Sequence, residues 1–453
     1  MKAAMKASLN VRRRRILLSA FACSPHVGSE PGVAWHWAIE LAQRHDIVLL
    51  THAHYQEEIE EALRACPRPG LQFHYFRVPG VGGHPHWQLN SRLYYLAWQF
   101  AVRQRVRGLL AQQAFDLIHH LTWGSYRLPG RLGGLGPPLV IGPVGGGEGA
   151  PWRLYRRFPW REHLFYAARQ ASIQWSRFDP FVRLSMRHAQ LVLAKTHETR
   201  AALPSFVHGR VLLASEIGIA APAAAPPRPA RQTTPLRLLY AGRLLGGKGL
   251  PYLLLAMRLL RSKGLPVRLD VAGDGRLMSW AQAQLTQFGL HDSVQLLGMV
   301  PRVQMSALYE AADVLVFPSW HDSSGNVVAE ALARGLPVLC LDLGGPRYVA
   351  DEHSAVVVNT HGLDAAGVAH ALAREIEALL DQPLRLAALS AGARNRAGQL
   401  GWGAQVARAY EQIEQRLGWT APSDAEASSG VVVETLANAA GAPGSPHACT
   451  ATP

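Results

Sequence analysis

Short apolar runs alternate with helix-length amphipathic stretches along most of this chain, and that alternation constrains the fold more than any other feature. In the first half the runs are RILLSAF, HDIVLLTH, LQFHYFRV, FDLIHHL, PLVIGPV and AQLVLAKT, separated by segments such as VAWHWAIELAQR and YYLAWQFAVRQRVRGLLAQQ. In the second half they are LRLLYAG, VRLDVAG, SVQLLG, DVLVFPS, LPVLCLD and AVVVNT. Runs this apolar suit strands buried on both faces, and their alternation with helices is the pattern of parallel β-α-β units. At 453 residues the chain exceeds one ordinary core. The expectation is an α/β protein of two doubly wound, Rossmann-like sheets, with residues 1–205 in the first domain and 206–400 in the second. The stretch AAPAAAPPRPARQTT, residues 220–234, has no period and predicts a surface linker. Residues 401–419 predict a helix that crosses back to the first domain, and 420–453, rich in Ala, Gly, Ser, Pro and Thr, predict a disordered tail.

Charge is unevenly placed. Residues 1–220 hold 27 Lys/Arg against 13 Asp/Glu, whereas 221–453 hold 19 against 19, so the whole formal charge of +14 lies in the first half. A basic half-molecule suits an anionic membrane surface, a phosphorylated substrate or nucleic acid. No recognised nucleic-acid module accompanies it, so nucleic acid is not expected as a partner. Residues 152–188 interleave Arg with Trp, Tyr and Phe, which fits either an interfacial helix on anionic lipid or a helical hairpin with its aromatics inside. Cys23, Cys66, Cys340 and Cys449 lie far apart without a CxxC spacing, indicating neither a zinc site nor a disulfide framework. The start, RRRRILLSAFACS, imitates a secretion signal, but its apolar run is brief and flows into a glycine loop, so a first buried strand is the expectation. No stretch approaches the roughly 18 apolar residues of a membrane span. Cytoplasmic residence follows as the expectation, with peripheral contact to the inner face of the plasma membrane.

Two strand-to-helix junctions of the second half carry candidate chemistry, because open α/β sheets bind ligands beyond the carboxyl ends of their strands. In LRLLYAGRLLGGKGLPYLLL, glycines let the backbone approach a ligand while Arg243 and Lys248 add positive charge beside a helix N-terminus, a setting for phosphate. Gly242, Gly247 and Lys248 satisfy most of a P-loop, but Gly249 stands where its Mg²⁺-binding Ser or Thr belongs. In DVLVFPSWHDSSGNVVAEALARGLPVL, Asp322 and Glu330 flank a Ser-Ser-Gly turn eight positions apart. Gly325, Asn326 and Val327 can donate backbone N–H groups there, Glu330 can accept from ribose hydroxyls and Asp322 from a sugar hydroxyl. The plainer alternatives are a capping role for Asp322 and dipole complementation for Glu330.

GRLLGGKG, followed about seventy residues on by DSSGNVVAEALARGLPVL and LGGP, resembles the donor domain of the GT-B glycosyltransferases, specifically the retaining family 4. SPHVGSEPG, DLIHHLTWGSYRLP and GPVGGGEGAP resemble a bacterial branch of that family, of the exopolysaccharide and lipopolysaccharide type. The resemblance implies two Rossmann-like domains facing across a cleft, with Arg243 and Lys248 on the donor diphosphate, Glu330 on ribose and Asp322, in place of the family's Glu, on the donor sugar. It implies that Gly28 lets phosphates and acceptor approach the backbone. It also implies a histidine near the transferred sugar, which is His119 or His120; the family's second His position holds Leu121.

The implied function is hexosyl transfer, with retention, from a nucleoside diphosphate sugar to a hydroxyl of a lipid-linked or polysaccharide acceptor. The alternatives are a GT-B-like sugar-nucleotide epimerase and a non-catalytic nucleotide-sugar binder. No cofactor and no metal are expected, since no Asp-x-Asp pair occurs and Arg243, Lys248 and helix dipoles can meet the charge of the leaving diphosphate.

Overall fold

A computed structural model describes residues 13–78, 92–128, 130–156, 158–220 and 234–419. The predicted tail and nearly all of the predicted linker lie outside the described residues. The first sheet contains β1 (Arg15–Ala20), β2 (Asp46–His52), β3 (Leu71–Phe76), β4 (Leu117–Thr122), β5 (Leu139–Val144), β6 (Leu191–Ala194) and β7 (Val211–Leu213). Its spatial order is β3-β2-β1-β4-β5-β6-β7. The second contains β8 (Leu236–Ala241), β9 (Val267–Ala272), β10 (Val294–Gly298), β11 (Val314–Phe317), β12 (Val338–Leu341) and β13 (Ala355–Val358), ordered β10-β9-β8-β11-β12-β13. Every pairing within the two sheets is parallel. In each sheet the order reverses at one place, between β1 and β4 and between β8 and β11. Doubly wound sheets open a crevice at that reversal.

Between the strands of the first sheet run α1 (Glu30–Ala42), α2 (Gln56–Ala65), α3 (Arg92–Gln112), α4 (Trp152–Tyr155), α5 (Trp160–Ser176), α6 (Pro180–Arg187) and α7 (His197–Ala202). The second domain adds α8 (Leu250–Ser262), α9 (Met278–Phe288), α10 (Arg302–Ala311), α11 (Asn326–Ala333), α12 (Pro346–Val349), α13 (Ala365–Asp381) and α14 (Pro383–Gln399), and α15 (Trp402–Arg416) follows. The central strands are buried along nearly their whole length, and β4, LIHHLT, has no exposed residue, whereas β3, β7 and β10 at the sheet edges are only partly buried. The imitation of a secretion signal is buried as well, in β1, where Ile16 to Ala20 are inaccessible to solvent.

One boundary is corrected by the strand pairing. β7 hydrogen-bonds to β6, with Val192 opposite Val211, so the first sheet continues beyond residue 205 and the domains change between Leu213 and Leu236. β7 is only three residues long, too short to show the apolar run by which the other strands are read.

Each domain also receives a segment from the other end of the chain. Val406, Ala409, Tyr410 and Ile413 of α15 form a stripe at helical spacing and are buried in the core of the first domain, against α1. In the opposite direction Leu154, Tyr155, Phe158 and Tyr166 are buried in the core of the second. Residues 152–188 therefore satisfy neither sequence alternative alone. Their first part is buried against the second domain, while Trp160, Trp175, Phe178 and Phe181 are 70, 75, 71 and 64% exposed. Among the described residues no helix is long and apolar enough to cross a membrane.

Candidate functional site

The loops after β1, β4, β5 and β6 face those after β8, β11 and β12. After β1, Ser24 Oγ accepts from the amides of His26 and Val27 and folds the loop tightly, which brings Gly28 under the Arg302 guanidinium of α10. A Cβ on Gly28 would lie 2.8 Å from Arg302 Nη1, so a side chain there would push the guanidinium aside. Gly28, Arg302, Asn326, Glu330 and Arg334 line one hollow of about 510 Å³, with Trp402 at the start of α15 on its wall. Glu330, half-buried on α11, accepts a hydrogen bond from Tyr309 Oη at 2.8 Å. Its second carboxylate oxygen has no partner among the described side chains.

On the other side of the α11 N-terminus lies a charged cluster. Asp322 Oδ1 accepts from the amides of Ser324 (3.0 Å) and Gly325 (2.8 Å), and Oδ2 accepts from Lys248 Nζ at 2.6 Å. Asp322 thus holds the turn ahead of α11 and the ion pair together, but it does not cap the helix, whose N-cap is Gly325. Burial alone would raise its carboxyl, but Lys248 and the two amides outweigh burial and hold it below the ordinary value. Gly325, at φ 73°, turns the chain into α11. The amides of Asn326 and Val327 have no acceptor among the described residues, whereas that of Gly325 is taken by Asp322. His321 stands beside this pair; burial, then Arg169 and Lys248, lower its pKa to about 3. Arg243 is exposed and close enough to act on His321 as well.

The glycine loop after β8 is occupied in a way the sequence did not announce. The Gly246 amide donates to Glu162 Oε2 at 2.9 Å and the Gly247 amide to Tyr166 Oη at 2.7 Å, both from α5. Those two N–H groups are therefore filled by protein, and Lys248 and Arg243 are what the loop offers an anion. Gly249 takes φ 83°, and a Cβ there would come within 2.0 Å of the Pro318 carbonyl. This is the physical reason for the departure from a P-loop: no Ser or Thr fits.

The two histidines are a correction. His119 is fully buried, with Nδ1 2.9 Å from Tyr410 Oη and Nε2 2.7 Å from the Gly142 carbonyl. His120, on the opposite face of β4, has Nε2 3.1 Å from Tyr95 Oη and Nδ1 3.3 Å from Ser19 Oγ. Burial lowers them to about 4 and about 3, so both are neutral. All four ring nitrogens have partners inside the core, and neither ring reaches the cleft; they link the sheet to α15 and α3.

Sequence reasoning missed a third group, at the seam of the domains. Lys195 Nζ lies 2.5 Å from Glu216 Oε2, and the other Glu216 oxygen accepts from Ser324 Oγ of the second domain. Glu30, at the start of α1, accepts from the Gly124 amide. Burial raises the Glu30 carboxyl, with Lys195 pulling it down and Glu216 adding to the rise. Burial would depress Lys195, but Glu216 and Glu30 outweigh it. Glu30 sits inside the quoted motif SPHVGSEPG and was passed over for its glycines; Lys195 and Glu216 belong to no motif at all.

Residues 224–396 match a family described as "Glycosyl transferases group 1". A D-inositol 3-phosphate glycosyltransferase of Thermobispora bispora is 40% identical over 131 residues, which are 29% of this chain and 29% of that relative. One of Xylanimonas cellulosilytica is 34% identical over 184 residues, 40% of this chain and 43% of the relative. Among solved structures, sucrose-phosphate synthase from Thermosynechococcus elongatus superimposes with a TM-score of 0.59 at 18% identity, over 90% of this chain and 100% of that one. Anabaena HepE in complex with UDP gives 0.53 at 17% identity, over 89 and 99%. The chain thus spans less than half the length of these curated relatives in sequence but nearly the whole of the solved structures in fold. Two facing parallel sheets with these neighbours make the architecture GT-B, and its second half is similar to the glycosyl transferases of group 1.

Proposed function

We propose that this protein is a glycosyltransferase that moves a hexose, with retention, from a nucleoside diphosphate sugar to a hydroxyl of a lipid-linked or polysaccharide acceptor. The observation that carries the proposal is the Lys248–Asp322 pair, set at the reversal of the second sheet beside two open amides at the start of α11. The same protein architecture binds UDP and UDP-glucose in Anabaena HepE, which supports a nucleotide-sugar donor.

In this reading Arg243 and Lys248 neutralise the diphosphate, with the Asn326 and Val327 amides at the N-terminus of α11 as further donors. As Lys248 turns toward phosphate it releases one oxygen of Asp322, and that carboxylate then accepts from a donor-sugar hydroxyl. Glu330 takes the ribose hydroxyls with its unpartnered oxygen, and Gly28 leaves the acceptor side open. The leaving phosphate removes the acceptor proton on the face it departs from. Arg302, Glu30 and Lys195 join the site as residues lining or closing the cleft. No metal is required in this scheme, because cationic side chains and the helix terminus meet the developing charge. The matched relatives and structures favour transfer over epimerisation or mere binding.

A thermal-shift panel of UDP-, GDP- and ADP-sugars identifies the donor, because a ligand that binds the native state raises the melting temperature. With that donor, Lys248→Ala is expected to lower kcat/KM by about 100-fold, or about 2.7 kcal/mol. Unchanged kcat/KM in that variant would remove the proposal's support. NMR of the product separates retention from inversion at the anomeric carbon. The exposed Trp160, Trp175 and Phe178 amid arginines support peripheral contact with an anionic membrane; vesicle sedimentation that is insensitive to salt would count against it.

A further inference from the structure

A second hollow lies on the first domain, outside the cleft, between α3, α6 and the loop that follows β4. It measures about 450 Å³, within the range of roughly 300–1,000 Å³ common for small-molecule sites. Its floor is apolar: Leu96 and Phe100 from α3 and Phe181 and Leu184 from α6 are 39, 55, 64 and 51% exposed. Large side chains left open together in this way mark a binding surface rather than a scattered apolar residue. A shallower trough with Phe178 and Phe206 continues from it and shares Leu184.

The rim is cationic. Arg103 donates to the carbonyls of Arg131 and Gly133, at 2.6 and 2.7 Å, and so holds the loop in place. Arg131 lies over the Phe100 ring at 4.1 Å. Arg127 reaches Ser172 with one nitrogen, and its Nε is buried without a partner. Among the described residues none of these three arginines is paired with a carboxylate. The one acid lining the hollow, Asp179, accepts from the amides of Phe181 and Val182 as the cap of α6. Three guanidinium groups less one carboxylate leave a formal surplus of +2 around an apolar floor. A phosphate ester on an apolar chain complements both parts, since guanidinium groups pair bidentately with phosphate and the chain covers the exposed Phe and Leu.

The same loop connects this hollow to the cleft. Its first residues place the Gly124 amide on Glu30, and Gly130, Arg131 and Gly133 further along line the hollow. We propose that the hollow holds one molecule of a phosphate-bearing amphiphile, its phosphate on Arg127 and Arg131 and its first carbons on Phe100, Phe181 and Leu184, and that this is the carrier end of the acceptor. The second half of that statement rests on the transfer reading; the first does not.

Dodecyl phosphate, kept below its micelle concentration and titrated calorimetrically into the full chain, is the probe. One molecule is expected to bind per chain, with dodecyl maltoside and inorganic pyrophosphate at least tenfold weaker. Arg131→Gln and Leu184→Glu should each weaken dodecyl phosphate at least tenfold while stabilisation by the nucleotide-sugar donor stays unchanged. Equal binding of dodecyl maltoside, full affinity in both variants, or association with anionic vesicles alone would overturn the assignment. Intact, variant-sensitive dodecyl phosphate binding in a protein that no nucleotide sugar stabilises would sink the transfer reading and leave the hollow's ligand standing.

Discussion

The two segments that cross between the domains do opposite kinds of work. α15 reaches the first domain with a mostly apolar stripe, and its polar contacts, Tyr410 to His119 at 2.9 Å and Glu414 to His45 at 3.2 Å, fasten that stripe to the sheet and to the turn between α1 and β2. α5 reaches the second domain and places Glu162 and Tyr166 on the amides of the very loop proposed to meet the donor diphosphate. One crossing completes a core; the other fixes the amides of a ligand loop. A helix lent between domains is therefore not by itself a stability device, and what it touches decides its role.

Acid should separate the two crossings most. His36 and His119 stand on the α15 side, each with a pKa lowered by burial to about 4, whereas His321, lowered to about 3, stands on the α5 side. Each is neutral in the folded chain and takes a proton on unfolding below its ordinary value near 6.5, so no stability is lost above that pH, and it is lost as pH falls toward 4 for His36 and His119 and toward 3 for His321. The loss is about 1.4 kcal/mol per pH unit for each such histidine as an upper bound. Hydrogen-exchange protection, taken relative to the intrinsic rate at each pH, should fall between pH 7 and pH 5 more in β4 and α15 than in α5 and the Gly246–Lys248 turn. An equal fall would erase the distinction.

Tyr410→Ala comes next, at about 3–5 kcal/mol of stability, because it empties a buried aromatic site and strips His119 of its Nδ1 partner. Urea unfolding reads the loss, and the KM for donor in the folded fraction should stay within about twofold. Tyr166→Phe is smaller, about 1–2 kcal/mol, since it removes only the hydroxyl and leaves the buried Gly247 amide unpaired. Here the donor KM should rise about fivefold, or about 1 kcal/mol. A Tyr166→Phe enzyme with unchanged KM would make α5 a brace like α15.

What the sequence made legible follows from what is local. The twelve longer strands and the glycine turn at Gly325 depend on patterns a few residues long, and these are where apolar periodicity and backbone sterics speak directly. Asp322, Lys248 and Glu330 were singled out as candidates by their place at strand-to-helix junctions and by the resemblance, although the Lys248–Asp322 pair itself joins residues seventy-four apart. The histidines misled because LIHHLT is a strand whichever face its polar residues serve, and the deciding partner, Tyr410, is 291 residues away. β7 escaped through shortness. Glu162 on Gly246, Lys195 on Glu216 and the arginine-rimmed hollow are products of packing between distant segments, which no short window contains.

The smallest effect tests how α5 is held. Arg276, about half exposed, bonds to Glu162 Oε1 at 2.9 Å, while the other Glu162 oxygen accepts from Gly246, and the same guanidinium lies over the Phe165 ring at 4.6 Å. An ion pair with one partner so open to solvent contributes about 1 kcal/mol or less, and salt screens it. Arg276→Ala should therefore lower stability by about that much in dilute buffer and by less in molar NaCl, where the pair is already weakened. In a double-mutant cycle with Glu162→Gln, the coupling should shrink with salt. If α5 is instead anchored by Tyr166 and the apolar contacts of Tyr155 and Phe158, the donor KM of Arg276→Ala stays at the wild-type value at every salt concentration, and the difference between the crossings lies in the tyrosine alone.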